Sequence, residues 1–135
     1  MSTAETRYLK INYDEVLRKL KEYAESKAKA HLGVKAIVLT GSLAKGNYAG
    51  SSDADILVIA EGLPHRVLER YQLFAEASLP IDVEPRAYSI EEFLKMVRRG
   101  DHFAFEALKF GIPLFGDGYL RELKTSVMEN QSPSR

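Results

Sequence analysis

Two stretches decide the fold: Val34-Lys-Ala-Ile-Val-Leu-Thr-Gly-Ser42 and Asp53-Ala-Asp-Ile-Leu-Val-Ile-Ala60. Each contains a short, mostly apolar run rich in β-branched residues, which is typical of a buried strand. The first run ends in a Gly-Ser turn, and the second begins with two aspartates separated by one residue. The sequence therefore predicts two buried strands with polar chemistry where one ends and the other starts.

Apolar residues at helical spacing predict helices around these strands. One helix is expected to begin at a capping pair, Asn12 and Glu15, and another at a capping box, Ser89 and Glu92. A third is expected over about 103–109. A fourth is expected after Pro64, with the apolar stripe Val67, Leu68, Tyr71, Phe74 and Ala75. Residues 79–85 predict a third strand bounded by prolines, and residues 111–118 a short extended segment. The expected fold class is α/β (α+β), with a small mixed sheet and flanking helices.

Length and composition suit one globular domain. The 135 residues predict a single domain over 1–135, with its core at about 12–120 and flexible segments at 1–10 and 125–135. Nineteen basic residues balance nineteen acidic ones, so we expect no dedicated nucleic-acid-binding region. The lack of cysteine excludes disulfides and thiolate catalysis. No apolar run approaches the roughly 20 residues of a membrane span, and we expect a cytoplasmic protein.

Gly41-Ser42 is the first candidate for chemistry. A glycine after a strand allows a sharp turn, so that a phosphate can approach the following backbone N–H groups and the Ser42 hydroxyl. A Gly-Ser pair at a strand end is more often a simple turn, so this pair alone is weak support. Lys45 follows three residues later, and the sequence leaves it open between a phosphate contact and a solvated side chain.

Asp53 and Asp55 are the second candidate. Residues two apart in a strand point to the same face, at about 6–7 Å along the chain. Two carboxylates at the edge of a core need a counter-charge, and a divalent cation with oxygen ligands supplies one. An exposed acidic turn would explain Asp53 but explains Asp55 poorly, because apolar residues follow it directly.

The third candidate is on the next strand, where Asp82 and Glu84 share a face. If the two strands are neighbours, one of these carboxylates can approach Asp53 and Asp55. We expect Asp82 to be the member of the site, because it would lie deeper in a strand that ends at Pro85. A solvated edge is the preferred interpretation for Glu84.

The sequence resembles the DNA polymerase β-type nucleotidyltransferase superfamily. The resemblance rests on Gly41-Ser42, followed after ten residues by Asp53-Ala-Asp55, and on Asp82 in a later strand. The short length and the wording Gly-Ser-Leu-Ala-Lys-Gly at 41–46 are most similar to its minimal nucleotidyltransferases. The resemblance covers about residues 34–118. It implies a nucleotidyltransferase-like fold, with Gly41, Ser42 and Lys45 binding the nucleotide and Asp53, Asp55 and Asp82 acting as catalytic, metal-binding residues.

The same resemblance implies two Mg²⁺ ions, ATP as co-substrate, and transfer of a nucleoside monophosphate, expected to be AMP, to a hydroxyl group. Relatives of this kind are often antitoxins of HEPN-domain toxins, so we expect a HEPN-domain partner protein that carries the acceptor. Many relatives have arginine where this chain has Lys45, which retains the charge without the bidentate fork. All expected carboxylates are present, which argues against a decayed enzyme.

Three alternatives remain open from the sequence. The chain could neutralise or regulate a partner by sequestration without catalysis. It could modify a small molecule, although little chain remains for an acceptor-binding domain unless a homo-oligomer supplies one. The acidic strands could also be solvated edges with no ligand.

Overall fold

The computed structural model describes residues 13–46 and 53–130. Its elements are α1 (Tyr13–Ala30), β1 (Val34–Thr40), α2 (Gly41–Ala44), β2 (Asp53–Ala60), α3 (Val67–Phe74), β3 (Asp82–Tyr88), α4 (Ile90–Arg98), α5 (His102–Phe110), β4 (Ile112–Phe115) and α6 (Asp117–Asn130). The strands of this part of the chain form one sheet in the order β3-β2-β1-β4. β1 is antiparallel to β2 and β4, whereas β2 and β3 are parallel. The predicted mixed sheet with flanking helices is confirmed.

Each face of the sheet packs against its own helices. One face, here called the α1 face, buries Ile56 and Val58 of β2 against α1 and against Phe74 at the end of α3. The other, called the α5 face, buries Leu57 and Ile59 against α4, α5 and α6. Alternate residues of one strand point to opposite faces, so an almost continuous apolar run is what a strand covered on both sides requires.

Side chains close in sequence cap the N-terminal ends of two helices. Ser89 accepts a hydrogen bond from the Glu92 backbone N–H, and the Glu92 carboxylate accepts one from the Ser89 N–H, which confirms the predicted capping box. Asp101 caps α5 by accepting a hydrogen bond from the backbone N–H of Ala104 at 3.1 Å. The predicted cap at Asn12 lies outside the described residues. These caps fix where α4 and α5 begin beside the sheet.

The third strand differs from the prediction. β3 spans Asp82–Tyr88 rather than residues 79–85, and Pro85 lies in its middle. The strand is at the edge of the sheet, and its pairing with β2 continues without interruption through Pro85. A proline is tolerated there because an edge strand needs backbone donors on one side only. The prediction failed because a rule for central strands was applied to an edge strand.

The structure also differs from the predictions for the α3 stripe and for the C-terminal tail. The stripe expected on α3 is largely exposed: Val67 is 80% and Leu68 64% accessible, while Phe74 is fully buried. The tail predicted to be flexible from residue 125 is helical as far as Asn130, because Val127 packs into the α5-face core. Across the described ranges, no helix has both the length and the hydrophobicity needed to cross a bilayer.

Candidate active site

The chain leaves β1 through a left-handed turn at Gly41. Its φ of 75° is one that glycine adopts readily and other residues adopt only with strain. A Cβ atom at this position would lie 2.5 Å from Oδ2 of Asp55, so only glycine allows the Asp55 carboxylate to lie this close to the turn. Ser42 follows on the exposed surface. The Gly-Ser turn and the Asp55 carboxylate are therefore direct neighbours.

Thr40 fixes the position of this turn relative to β2. It is opposite Asp55 in the β1–β2 ladder and is only 2% exposed. Its hydroxyl donates a 3.1 Å hydrogen bond to the Asp55 backbone carbonyl. A buried polar side chain needs such a partner, and here the partner is the backbone of a candidate site residue. The contact holds the end of β1 against the start of β2.

Carboxylates from two strands form the main feature of the site. In the parallel β2–β3 ladder, Asp53 is paired with Asp82, and Asp55 with Glu84. Paired residues of adjacent strands point to the same face, and so do residues two apart in one strand. All of these side chains therefore point to the α5 face of the sheet. We call this group, Asp53, Asp55, Asp82 and Glu84, the acidic face.

The acidic face is open to solvent. Asp53, Asp82 and Glu84 are exposed, and Asp55 is half-buried. Adjacent strands are about 4.7–4.9 Å apart, so carboxylates on paired residues are close enough to share a cation after side-chain rotation. Within residues 13–46 and 53–130, no three acidic or histidine side chains are already gathered closely enough to hold a metal ion. The acidic face supplies the right donor chemistry for Mg²⁺, on a surface where side chains have room to rotate.

The structure thus brings the predicted carboxylates Asp53, Asp55 and Asp82 to one face. It also places Glu84 on that face, paired with Asp55. Asp82 is the first residue of β3, and Glu84 is within the strand, so the expectation that Asp82 lies deeper is wrong. The alternation of exposed Asp82, Glu84 and Arg86 with buried residues was a readable signal. The sequence predicts the shared face of Asp82 and Glu84 but not its continuation to Arg86, because the predicted strand ends at Pro85.

Lys45 contacts α5 through two groups. Its Nζ is 2.7 Å from a carboxylate oxygen of Glu106 and 4.7 Å from the ring centroid of Phe110. The hydrogen bond from Lys45 is the main reason that the pKa of Glu106 is lowered. Glu106 also lies 3.7 Å from the His102 imidazole. Sequence reasoning missed Glu106, because nothing local in α5 indicates that it meets the segment after Ser42.

Arg86 continues the exposed row of β3 beyond the acidic face. Its guanidinium carbon lies 4.6 Å from the ring centroid of Phe103 at the start of α5. Such a cation–π contact holds the side chain against the helix. On this side of the sheet, Arg86 and Lys45 thus each make a cation–aromatic contact with α5.

Comparison with known proteins indicates a nucleotidyltransferase domain. The sequence profile described as "Nucleotidyltransferase domain" matches residues 17–109, well over half of the chain. A Methanocaldococcus jannaschii protein, named as a candidate protein adenylyltransferase, is 35% identical over an alignment of 72 residues, with 45% of this chain and 49% of that protein covered. The chain thus spans about half the length of this curated relative.

Two solved structures share the fold. A crystal structure of a candidate nucleotidyltransferase from Sulfolobus solfataricus has a TM-score of 0.52 at 21% identity, covering 76% of this chain and 81% of that one. A crystal structure of a toxin–antitoxin with AMP-PNP has a TM-score of 0.56 at 18% identity, covering 82% and 85%. At these identities the likeness shows the fold alone, and the family is shown by the profile. The chain belongs to the nucleotidyltransferase domain family.

Proposed function

We propose that this chain transfers a nucleoside monophosphate, AMP from ATP, to a hydroxyl group on a partner protein in a Mg²⁺-dependent reaction. The observation that carries the proposal is the acidic face, whose Asp55 carboxylate lies against the Gly41 turn. Membership of the family supports nucleotide transfer. The name of the Methanocaldococcus jannaschii relative supports adenylyl transfer to protein.

Gly41 and Ser42 would bind the triphosphate. The left-handed turn leaves no side chain between an approaching phosphate and the backbone, and the exposed Ser42 hydroxyl can donate to a phosphate oxygen. Lys45 would add positive charge if it exchanged Glu106 for a phosphate. That exchange is feasible because the Lys45 side chain is 43% exposed and can rotate at the surface without disturbing the core.

The donor set fits magnesium. Asp53, Asp55 and Asp82 would hold two Mg²⁺ ions, and Glu84, paired with Asp55, is available as a further carboxylate. When bound, Mg²⁺ supplies positive charge that offsets the triphosphate and polarises the phosphoryl group. Carboxylates on one face repel one another, so this group of residues favours a cation.

In the proposed reaction, the acceptor oxygen forms a bond to the α-phosphorus of ATP. The bond between that phosphorus and the oxygen leading to the β-phosphate breaks, and pyrophosphate leaves. The proton of the acceptor hydroxyl passes to a carboxylate oxygen, for which Asp82 is the candidate. This chain otherwise contributes orientation, because the Gly41 turn and the acidic face are held together through Thr40.

The partner is proposed to be a HEPN-domain toxin, with this chain as its antitoxin. The test uses both purified proteins, Mg²⁺ and ATP labelled at the α-phosphate. Label on the partner with the wild-type chain, and none with Asp53→Asn/Asp55→Asn, is the expected result. Asp14→Asn, an exposed change outside the acidic face, is the matched control and should label normally. An unlabelled partner in a complex that does form would overturn the proposal.

A second candidate function is neutralisation by sequestration, which is favoured by the fold shared with a toxin–antitoxin structure. The same double variant separates the two functions. Neutralisation lost while the complex persists supports catalysis. Neutralisation retained by Asp53→Asn/Asp55→Asn supports sequestration.

A further inference from the structure

A second surface, between α5 and α6, has a different character from the acidic face. A groove of about 330 Å³ lies between α5 and α6. We call it the α5–α6 groove; it is lined by Phe105, Leu108, Lys109, Lys124, Val127 and Met128. Its volume is at the lower end of the roughly 300–1,000 Å³ range of ligand pockets, which suits a few side chains better than a nucleotide.

The floor of the groove is apolar and its wall is accessible. Leu108 and Val127 are buried within the α5-face core, whereas Met128 is 66% exposed at the groove edge. Met128 and this floor form one contiguous apolar surface, and such surfaces are typical of binding sites. Methionine suits that role because its flexible, polarisable side chain adapts to different partners.

The charged residues of the groove are all basic. Lys109 and Lys124 are exposed and line it from the two helices, and no carboxylate is among the described lining residues. The acidic residues Glu122 and Glu129 of α6 line a separate surface instead. The two helices therefore present an apolar strip with positive charge on both sides.

The groove and the candidate active site share one helix. Glu106 and Phe110 of α5 contact Lys45, while the adjacent Phe105 and Lys109 line the groove. A segment bound in the groove would thus lie on the helix that also contacts the chain just after Ser42. This proximity is what a platform for a protein partner needs.

We propose that the α5–α6 groove binds an amphipathic helix of a partner protein whose apolar side chains are flanked by carboxylates. An apolar helix face lying in an apolar groove is a common mode of recognition, and charges at the rim set its specificity. Among residues 1–12, 47–52 and 131–135 of this chain, Glu5 is the one acidic side chain, so these segments lack the flanking carboxylates that this occupant requires. The inference goes beyond the proposed transfer and is tested without nucleotide.

The test measures fluorescence anisotropy of two labelled helical peptides with leucines at i, i+3, i+4 and i+7. One is flanked by glutamates and the other by lysines. The wild-type chain should bind the glutamate peptide, more weakly as salt rises, and should bind the lysine peptide at least roughly tenfold more weakly. Met128→Asp should weaken binding of the glutamate peptide by roughly tenfold or more.

Charge reversal at the two lysines is the more specific part of the test. Lys109→Glu/Lys124→Glu should reverse the preference and bind the lysine peptide. Val67→Asp on α3 and Lys29→Glu/Lys95→Glu on α1 and α4 are exposed control variants that should bind like wild type. Circular dichroism verifies that each variant is folded. No binding of the glutamate peptide by the wild-type chain, or equal losses in the control variants, would overturn the proposal.

Discussion

The two ends of β2 differ in burial and in chemistry. Residues 53–55 carry two aspartates that are exposed or half-buried, whereas residues 56–60 are almost completely buried between two layers of helices. The first part faces carboxylates of β3, and the second faces hydrophobic residues on both sides of the sheet. One strand thus supplies both the candidate site and the centre of the core.

The difference indicates that stability and function are separated along the strand. Burying a large aliphatic side chain contributes about 1.5–3 kcal/mol, so residues 56–60 hold the fold together. Like charges gathered at the other end repel one another, so we do not expect residues 53–55 to stabilise the fold as the buried end does. Changes in one part should therefore have effects that changes in the other part do not.

The largest effect on stability should come from the buried end. Ile59→Ala removes a fully buried side chain from the α5-face core and should lower the free energy of unfolding by about 2–5 kcal/mol. Urea denaturation measures the change. Val67→Ala, at a position 80% exposed, is the matched control and should change it by less than about 0.5 kcal/mol. Similar losses at both positions would contradict the comparison.

Gly41→Ala should have the next largest effect, because this position adjoins the acidic end. Alanine at a φ of 75° costs roughly 1–2 kcal/mol, and its Cβ would press on the Asp55 carboxylate. Gly62→Ala separates the two causes, since Gly62 has a φ of 74° and a Cβ added there would meet no atom within 4 Å. A larger stability loss in Gly41→Ala than in Gly62→Ala, with nucleotide transfer lost in Gly41→Ala alone, is the expected result. Equal stability losses and equal transfer in the two variants would mean that the contact with Asp55 matters for neither.

An ion pair beside the buried end should make stability depend on pH. Arg70 hydrogen-bonds both carboxylate oxygens of Glu92 at 2.8 and 3.2 Å and donates to the Ala87 carbonyl of β3. These bonds, followed by the Ser89 N–H, lower the pKa of Glu92 to about 2. The contribution is present above the unfolded pKa of about 4.3 and is lost as the pH falls towards 2.

Because the Glu92 side chain is 44% exposed, solvent screening limits this contribution to about 1 kcal/mol. Glu92→Gln keeps an acceptor for the cap but removes the charge. Chemical denaturation should therefore show a variant less stable than wild type at pH 7, with the difference disappearing near pH 2. A constant difference across this range would mean that the charge is not responsible.

The smallest effect on stability is expected where the effect on function is largest. Asp53→Asn/Asp55→Asn removes like charges from an accessible surface and should change the free energy of unfolding by no more than about 0.5 kcal/mol. Mg²⁺ with ATP should raise the melting temperature of the wild-type chain, because a ligand bound only by the folded state stabilises it. The double variant should lose that increase, whereas Asp14→Asn should retain it.

Several features of the candidate site and of the helices beside it could be predicted because their signals are local. The Gly-Ser turn, the spacing of Asp53 and Asp55, and the Ser89–Glu92 capping box each depend on residues close in sequence. A left-handed glycine and a reciprocal cap are imposed by backbone chemistry, which a short window contains. The structure confirms the cap and the conformation of Gly41, while the roles of the site residues remain proposals.

The remaining features depend on tertiary context. The bounds of β3 were misplaced because only the position of the strand at the sheet edge explains how Pro85 can lie in its middle. The α3 stripe was misread because an apolar helical pattern does not show whether a neighbour covers it. The contact between Lys45 and Glu106 joins residues far apart in sequence, and no local pattern encodes it.

Pro85 has a further consequence for how this protein behaves in a crowded solution. An edge strand offers unpaired backbone groups to any other extended chain, and this is a common start of aggregation. Here the edge carries a proline between the charged residues Glu84 and Arg86, with the pairing to β2 intact. Proline removes a donor, and flanking charges disfavour a second sheet. The strand that presents Asp82 and Glu84 is thus also protected against strand-to-strand self-association.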